Sequence, residues 1–242
     1  MFDFIYNVAP IDYQYHIRFF SNLRSLLNNQ LQPVWIFTTN YDLLLERAAS
    51  EVNMKMKNSF EGISKRYFNI TDYDFVTGKI TSGKTFQQLK EPIFNLVKLH
   101  GSISWLKENN KIIEQFDFSH LSLDQHCMIL PRRKKIFETL DSPYDQLFRY
   151  SSNVLGRKCR FLVTFGYSYR DQHINQTILL PKLQDGSLRI FAFLKEETVE
   201  LDQFKLFPNF NYLVETKYKL DGSEHIENSN LWDFKEFVNL LS

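Results

Sequence analysis

Five short apolar runs, separated by segments with helical periodicity, limit the folds open to this chain. Each run is rich in β-branched and aromatic residues and is bounded by turn residues, which is typical of buried strands. The runs are VWIFTT at 34–39, FNLVKL at 94–99, RFLVTF at 160–165, RIFAFL at 189–194 and NYLVE at 211–215. Strands that alternate with helices predict an α/β fold with a mostly parallel sheet covered by helices on both faces.

Apolar residues at helical spacing predict helices over 11–29, after Asn40, over 143–155, from about Asp171 and at the C-terminal end. Residues 60–92 are polar and punctuated by glycine, which indicates a small insertion or hairpin. A hairpin with Asn109-Asn110 at its tip is expected after the second apolar run. A chain of 242 residues fits one domain over 1–242, with residues 1–32 as a leading helical segment.

The glycines are too widely spaced for the common phosphate-binding loops. The eight glycines form no G-x-G, so the chain contains neither the dinucleotide fingerprint nor a G-x-x-x-x-G-K loop.

Charge and cysteine content exclude other classes. The formal net charge of +1 gives no field that would draw the chain to nucleic acid or an acidic membrane. Cys127 and Cys159 form no C-x-x-C pair, so we expect no zinc site and no disulfide framework. No run approaches 18 apolar residues and the N-terminus does not resemble a signal peptide, so a cytoplasmic protein without membrane contact is expected.

Polar residues follow three of the predicted strands at the point where each ends. The three segments are TTNYD at 38–42, KLHGS at 98–102 and GYSYRD at 166–171. Ligands in open α/β sheets bind at the carboxyl ends of the strands, so these segments are the candidate site. Taken singly, each has a structural alternative: Asn40 and Asp42 could cap a helix, and His100 could be a hydrogen-bonded turn residue.

In order and spacing, TTNYD at 38–42, LHGSISW at 99–105 and FGYSYRDQHIN at 165–175 resemble the SIR2-like family of bacterial proteins, distant relatives of the sirtuins. PRRKK at 131–135 and SPYDQLF at 142–148 also look like the stretch between the family's second and third motifs. The resemblance covers residues 33–240. It implies a Rossmann-like domain that binds NAD, and many members act as NAD hydrolases in antiphage defence. The family normally opens with a Gly-rich loop upstream of the TTNYD strand, and nothing in residues 1–32 resembles that loop. Either the chain is the C-terminal part of a longer protein, or it binds NAD poorly or not at all.

The resemblance also implies roles for individual residues. Asn40 and His100 match catalytic positions: the amide could hold water beside the nicotinamide ribose, and the imidazole could act as a base at a ribose hydroxyl. The positions that match NAD-binding residues are Thr39, Asp42, Gly166, Tyr167 and Ser168. Asp171, His173 and Asn175 belong to the third motif, where capping and packing by Asp171 and Asn175 is an equal alternative.

Three functions remain open at this point. The first is an NAD hydrolase that works as a defence effector, with NAD as substrate, no zinc, and a homo-oligomeric assembly. An ATPase or an Argonaute-like protein is a possible partner for such an effector. The second is a non-catalytic or truncated module that serves as an assembly partner. The third, an NAD-dependent protein deacylase, is disfavoured because two cysteines cannot build the four-cysteine zinc module of sirtuin deacylases.

Other polar features favour structural interpretations. The basic run from Arg132 to Lys135 is isolated in a nearly neutral chain, which indicates a solvated surface or ion pairs. The remaining histidines lack metal-ligand spacing; they are His16, His120, His126 and His225. Trp105 is expected in the core, with a pocket wall near His100 as the alternative.

Overall fold

A computed structural model describes residues 13–27, 32–117, 125–129 and 141–242. The chain divides into two compact units, Met1–Leu147 and Phe148–Ser242. The single domain expected from length remains a prediction. The basic run at 132–135 and His120 lie outside the described residues.

In its described residues, the first unit combines helices with ten short strands. The helices are α1 (Gln14–Leu26), α2 (Leu44–Glu51) and the start of α3 (Tyr144–Val154), with a 3-10 turn at Ile70–Asp74. Strands β1 to β10 are Val34–Thr38, Lys55–Lys57, Phe60–Glu61, Arg66–Phe68, Gly78–Ile80, Phe86–Gln88, Ile93–Lys98, Gly101–Glu108, Lys111–Glu114 and His126–Met128.

A three-stranded parallel sheet forms the centre of this unit, in the order β1-β7-β2. Strand β7 lies in the middle, and five of its six residues are buried. Helices α1 and α2 pack on it through Phe20, Ala48 and Ala49, and the ring of Phe20 meets that of Phe94 edge-on at 5.4 Å. The helical spacing seen in the sequence therefore corresponds to a real apolar face.

The rest of the first unit is antiparallel. A five-stranded sheet has the order β10-β8-β9-β4-β3, and β5 pairs with β6 in a separate hairpin. Asn109 and Asn110, both with positive φ, form the tip between β8 and β9, as predicted. Tight two-residue turns can only join antiparallel strands, which is why this part departs from the parallel pattern.

The second unit contains a mixed sheet of five strands. These strands are β11 (Phe161–Phe165), β12 (Arg189–Phe193), β13 (Phe210–Val214), β14 (Lys217–Leu220) and β15 (Ser223–Ile226). The first three are parallel and the last three form an antiparallel meander. Strands β14 and β15 are absent from the sequence-based prediction, although Asp221-Gly222 between them is a common hairpin turn.

The helices of the second unit are short. They are the remainder of α3, then α4 (Gln172–Ile174), α5 (Leu180–Gln184), α6 (Asp202–Lys205) and α7 (Phe234–Leu240), with a 3-10 turn at Val199–Leu201. A π-helical turn, Asn175–Leu179, joins α4 to α5. Pro181 has no N–H to donate to the preceding turn, and the widened turn lies directly before it. The core around Tyr169, Phe204 and Phe210 is aromatic and fully buried.

The α/β class is therefore confirmed, and antiparallel strands accompany the parallel strands within each unit. The described residues form two separate parallel regions of three strands each, together with antiparallel sheets. On β11, alternate side chains are open to solvent: Phe161 is 70% exposed and Val163 is 49% exposed. Among the described residues no helix is long and apolar enough to cross a membrane.

Candidate functional site

The carboxyl ends of β1 and β7 lie side by side. Thr38 is the register partner of Lys98, and the backbone N–H of Leu99 donates to the carbonyl of Thr38 at 2.9 Å. Since both strands run in the same direction, the turn after β1 and the turn after β7 emerge at the same sheet edge. The structure thus brings together the first two of the three segments singled out in the sequence.

The turn after β1 is held by its own polar groups. The Asn40 N–H donates to Thr38 Oγ1 at 3.0 Å, and an oxygen of the Asp42 carboxylate accepts from the Leu44 N–H at 3.0 Å. Asp42 therefore satisfies a donor at the start of α2, the capping role expected as its structural alternative. Asn40 is exposed and Thr39 is half-buried.

His100 lies in the turn between β7 and β8 and is buried. Its ring centroid is 6.5 Å from that of Tyr41, and its carbonyl accepts from the Ile129 N–H at 2.9 Å. The Tyr41 hydroxyl in turn donates to the Ile129 carbonyl at 2.5 Å. The two turns are thus connected to each other and to the residue after β10.

Gly101 makes the reversal after His100 possible. Its φ is +83°, and an added Cβ would lie 2.1 Å from the carbonyl oxygen of Cys127. A side chain at this position would be strained by the backbone conformation and would clash with backbone that cannot move away cheaply. The His-Gly pair therefore has a structural basis independent of any ligand.

A buried ion pair supports the same turns, and the sequence reasoning did not find it. Lys98 is almost fully buried, and its Nζ lies 2.8 Å from Glu46 Oε1 at the start of α2. The same Nζ donates to the carbonyl of Asp42 and, at 3.2 Å, to Ser102 Oγ. A lysine inside an otherwise apolar run was the available signal, because lysine is rarely buried without partners.

Helix α1 carries a second histidine, His16, which is half-buried. Burial lowers the pKa of His16, while the negative charge of Asp42 acts in the opposite direction. The spacing of residues in the sequence excluded His16 as a metal ligand. It could not predict the electrostatic effect of Asp42 on His16.

In the second unit, the segment after β11 makes a tight turn. Gly166 has a φ of +62°, and a Cβ added there would meet no atom within 4 Å in the described part of the chain. Tyr169 also has a positive φ, +59°, and its side chain is fully buried. Ser168 is exposed, and its carbonyl accepts from Thr198 Oγ1 at 3.1 Å. The turn therefore offers open space at Gly166 and a fixed anchor at Tyr169.

Asn175 holds this turn from inside. Its amide nitrogen donates to the Tyr169 carbonyl at 2.6 Å, and its amide oxygen accepts from the Tyr167 hydroxyl at 2.9 Å. Burial raises the pKa of Tyr167 above its usual range, so this hydroxyl keeps its proton. Asp171 caps α4 by accepting from the Ile174 N–H at 3.2 Å. The capping and packing alternative for Asp171 and Asn175 thus matches the geometry.

The predicted site residues form two groups. Thr39, Asn40, Asp42 and His100 lie in the first unit, and the segment 166–168 lies in the second unit. His173 packs its ring edge-on against Phe148 at 4.5 Å within the second unit.

Trp105 is 1% exposed and packs on Phe60 and Phe68, which places it in the core. Among the described residues, no group of three or more His, Cys, Asp or Glu side chains could hold a metal ion.

The strand-end turns and the arrangement of sheets and helices define a chain of the α/β class. A family model described as SIR2-like domain matches residues 34–207. The chain belongs to this SIR2-like family, which binds NAD. The match runs through both compact units and ends before β13. No curated protein matches the chain.

Proposed function

We propose that this chain is an NAD hydrolase that cleaves the bond between nicotinamide and ribose. The observation that carries the proposal is the register of β1 and β7, which pairs Thr38 with Lys98 and so directs Asn40 and His100 to one sheet edge. Membership in a family that binds NAD supplies the substrate class. An amide and an imidazole at one edge suit a reaction that needs an oriented water and a base.

In the proposed reaction, the bond between ribose C1′ and the nicotinamide nitrogen breaks, and its electron pair goes to that nitrogen. Nicotinamide leaves as a neutral molecule. A water oxygen bonds to C1′ and releases a proton, and His100 is the candidate base, in contact with a ribose hydroxyl. Asn40 would hold the water. The NAD-binding roles of Thr39 and Asp42 in the first unit, and of Gly166, Tyr167 and Ser168 in the second, remain those that the family resemblance assigns. The products are ADP-ribose, nicotinamide and one proton.

The catalytic prediction is tested with His100→Gln and Asn40→Ala. Loss of a general base costs about 10²- to 10⁴-fold in rate, so His100→Gln should reduce nicotinamide release by that factor. Asn40 is exposed, so Asn40→Ala should leave the fold intact and lower turnover by about tenfold or more. The measurement is nicotinamide released from NAD by purified protein, resolved by chromatography.

Two variants serve as matched controls. His126 is as well buried as His100 but bonds through Nδ1 to the Ile103 carbonyl at 2.8 Å, so His126→Gln tests loss of a buried imidazole elsewhere. Asn228 is an exposed asparagine in the second unit, and Asn228→Ala tests an ordinary surface change. Both should turn over NAD as the parent does, per folded molecule. Equal turnover in His100→Gln, Asn40→Ala and the parent would contradict the proposal.

The other functions make different predictions. A non-catalytic assembly module would release no nicotinamide, and calorimetry that showed micromolar NAD binding would count against it. A deacylase would consume NAD only with an acyl-lysine peptide, so peptide-independent hydrolysis would exclude it.

The defence role, the homo-oligomer and an ATPase or Argonaute-like partner extend the same proposal. They are tested by phage plating on cells that carry the parent or His100→Gln, by light scattering and by co-purification.

A further inference from the structure

Lys98 connects three elements around the turn that carries Asn40 and Asp42. Its side chain is 2% exposed. The Nζ donates to the carbonyl of Asp42, to Ser102 Oγ at 3.2 Å and to Glu46 Oε1 at 2.8 Å. A lysine ammonium has three N–H donors, so each of them has an acceptor. These acceptors belong to the turn after β1, to the start of β8 and to α2.

A role in filling space does not explain a charge at this position. An ammonium group loses much hydration when it is buried, and apolar side chains of similar volume often serve stability as well as a buried ion pair. Unlike an apolar side chain, the lysine makes directional hydrogen bonds, and these fix the Asp42 carbonyl relative to β7 and β8. Asn40 lies two residues before Asp42, and His100 lies two residues after Lys98. Both candidate catalytic residues are therefore close in the chain to an anchored residue.

We propose that Lys98 is a positioning residue for the hydrolysis of NAD, an inference that rests on the function proposed above. It does not touch the reacting atoms. It acts through the Asp42 carbonyl and Ser102 Oγ, and it holds the two strand-end turns at a fixed separation. Small displacements of reacting groups are costly in catalysis: a shift of about 1 Å can reduce the rate by about 10²-fold.

The test uses the double variant Lys98→Met/Glu46→Gln in the full chain. Removing Lys98 alone would leave Glu46 as a buried charge without its cation, which strongly destabilises proteins. The double change removes both charges and keeps the side-chain volumes close to those of the parent. Lys219→Met is the matched control, since Lys219 is also buried and donates to two backbone carbonyls, those of Lys205 at 2.6 Å and Phe207 at 3.0 Å, in the second unit.

We expect the double variant to lower kcat for nicotinamide release by about ten- to a hundredfold with a smaller change in KM. Hydrogen exchange of the backbone amides over 40–44 should become faster in the double variant and remain unchanged in Lys219→Met. The control should also keep the parental kcat per folded molecule. A merely structural role for Lys98 would lower the folded fraction in both variants and leave kcat of the folded protein unchanged.

Two results would overturn the inference: a parental kcat in the folded double variant, or parental exchange rates over 40–44. If the parent chain itself releases no nicotinamide, the proposed function fails separately. In that case, hydrogen exchange over 40–44 alone tests whether Lys98 positions the turn after β1. Faster exchange confined to 40–44 would support it, and unchanged exchange would overturn it.

Discussion

Glu114 is a buried carboxylate whose surroundings give the first unit a pH-dependent stability. Its side chain is fully buried and pairs with Arg66, and it accepts from Asn58 Nδ2 at 2.7 Å. Burial raises the pKa of Glu114 to about 7, although the positive charge of Arg66 acts in the opposite direction. The loss of hydration thus outweighs the attraction of the guanidinium, which is only partly buried.

The sign of the resulting pH dependence follows from proton binding. Between the usual pKa of 4.5 and a folded pKa of about 7, the folded state keeps a proton that the unfolded chain has lost. The free energy of unfolding should therefore fall as pH rises from 4.5 to 7, by on the order of 3 kcal/mol. Glu114→Gln should remove this slope. Urea unfolding of both proteins at several pH values measures it, and equal slopes would contradict the assignment.

At the scale of elements, the NAD contact proposed for the turn after β11 depends on Gly166. Gly166 has a positive φ and open space beside its Cα, while Asn175 fixes the rest of the turn through Tyr167 and Tyr169. Backbone that must lie against a dinucleotide requires such a glycine. Because Asn175 holds Tyr167 and Tyr169 in place, these neighbours leave the space beside Gly166 open.

Gly166→Ala tests this interpretation. A Cβ at this position meets no atom within 4 Å in the described residues, so the cost to stability is the left-handed backbone alone, about 1 to 2 kcal/mol. Gly186→Ala is the matched control, because Gly186 has a φ of +71° and equally open space. We expect similar melting temperatures for the two variants, with NAD affinity lowered about tenfold or more only in Gly166→Ala. Calorimetry with NAD measures this, and equal affinities would place the ligand away from the turn.

For the whole molecule, the two compact units are the main feature that the sequence did not predict. The second unit has its own five-stranded sheet and an aromatic core of Tyr169, Phe204 and Phe210. Helix α3 begins in the first unit and ends in the second, so a fragment that keeps this helix whole has to begin before Tyr144. A segment of about 100 residues with its own core is large enough to fold alone.

We therefore expect residues 141–242 to fold when produced separately. The fragment should show dispersed amide resonances and a cooperative thermal transition, because its core is contained within it. Residues 189–242, which lack β11 and its turn, serve as the control and should remain unfolded. A fragment 141–242 without cooperative melting would show that its sheet depends on the first unit.

Local patterns predicted most elements. The apolar runs at 34–39, 94–99, 160–165, 189–194 and 211–215 are strands, and the asparagine pair at 109–110 is a hairpin tip. Strands β14 and β15 were missed because β14 contains two lysines among its four residues and every residue of β15 is exposed, and only Asp221-Gly222 indicated the turn. Their pairing with β13 depends on the neighbouring strand rather than on their own composition.

The sequence by itself determined the family, the α/β class and the three polar segments at strand ends, because each of these depends on residues close together in the chain. Only the tertiary structure decided how the strands divide among sheets and which turns share an edge. The contacts of Lys98 with Glu46, and of Glu114 with Arg66, likewise appeared only in the folded chain. The physical reason is that burial and hydrogen-bond partners are set by residues dozens of positions apart, which local periodicity does not encode.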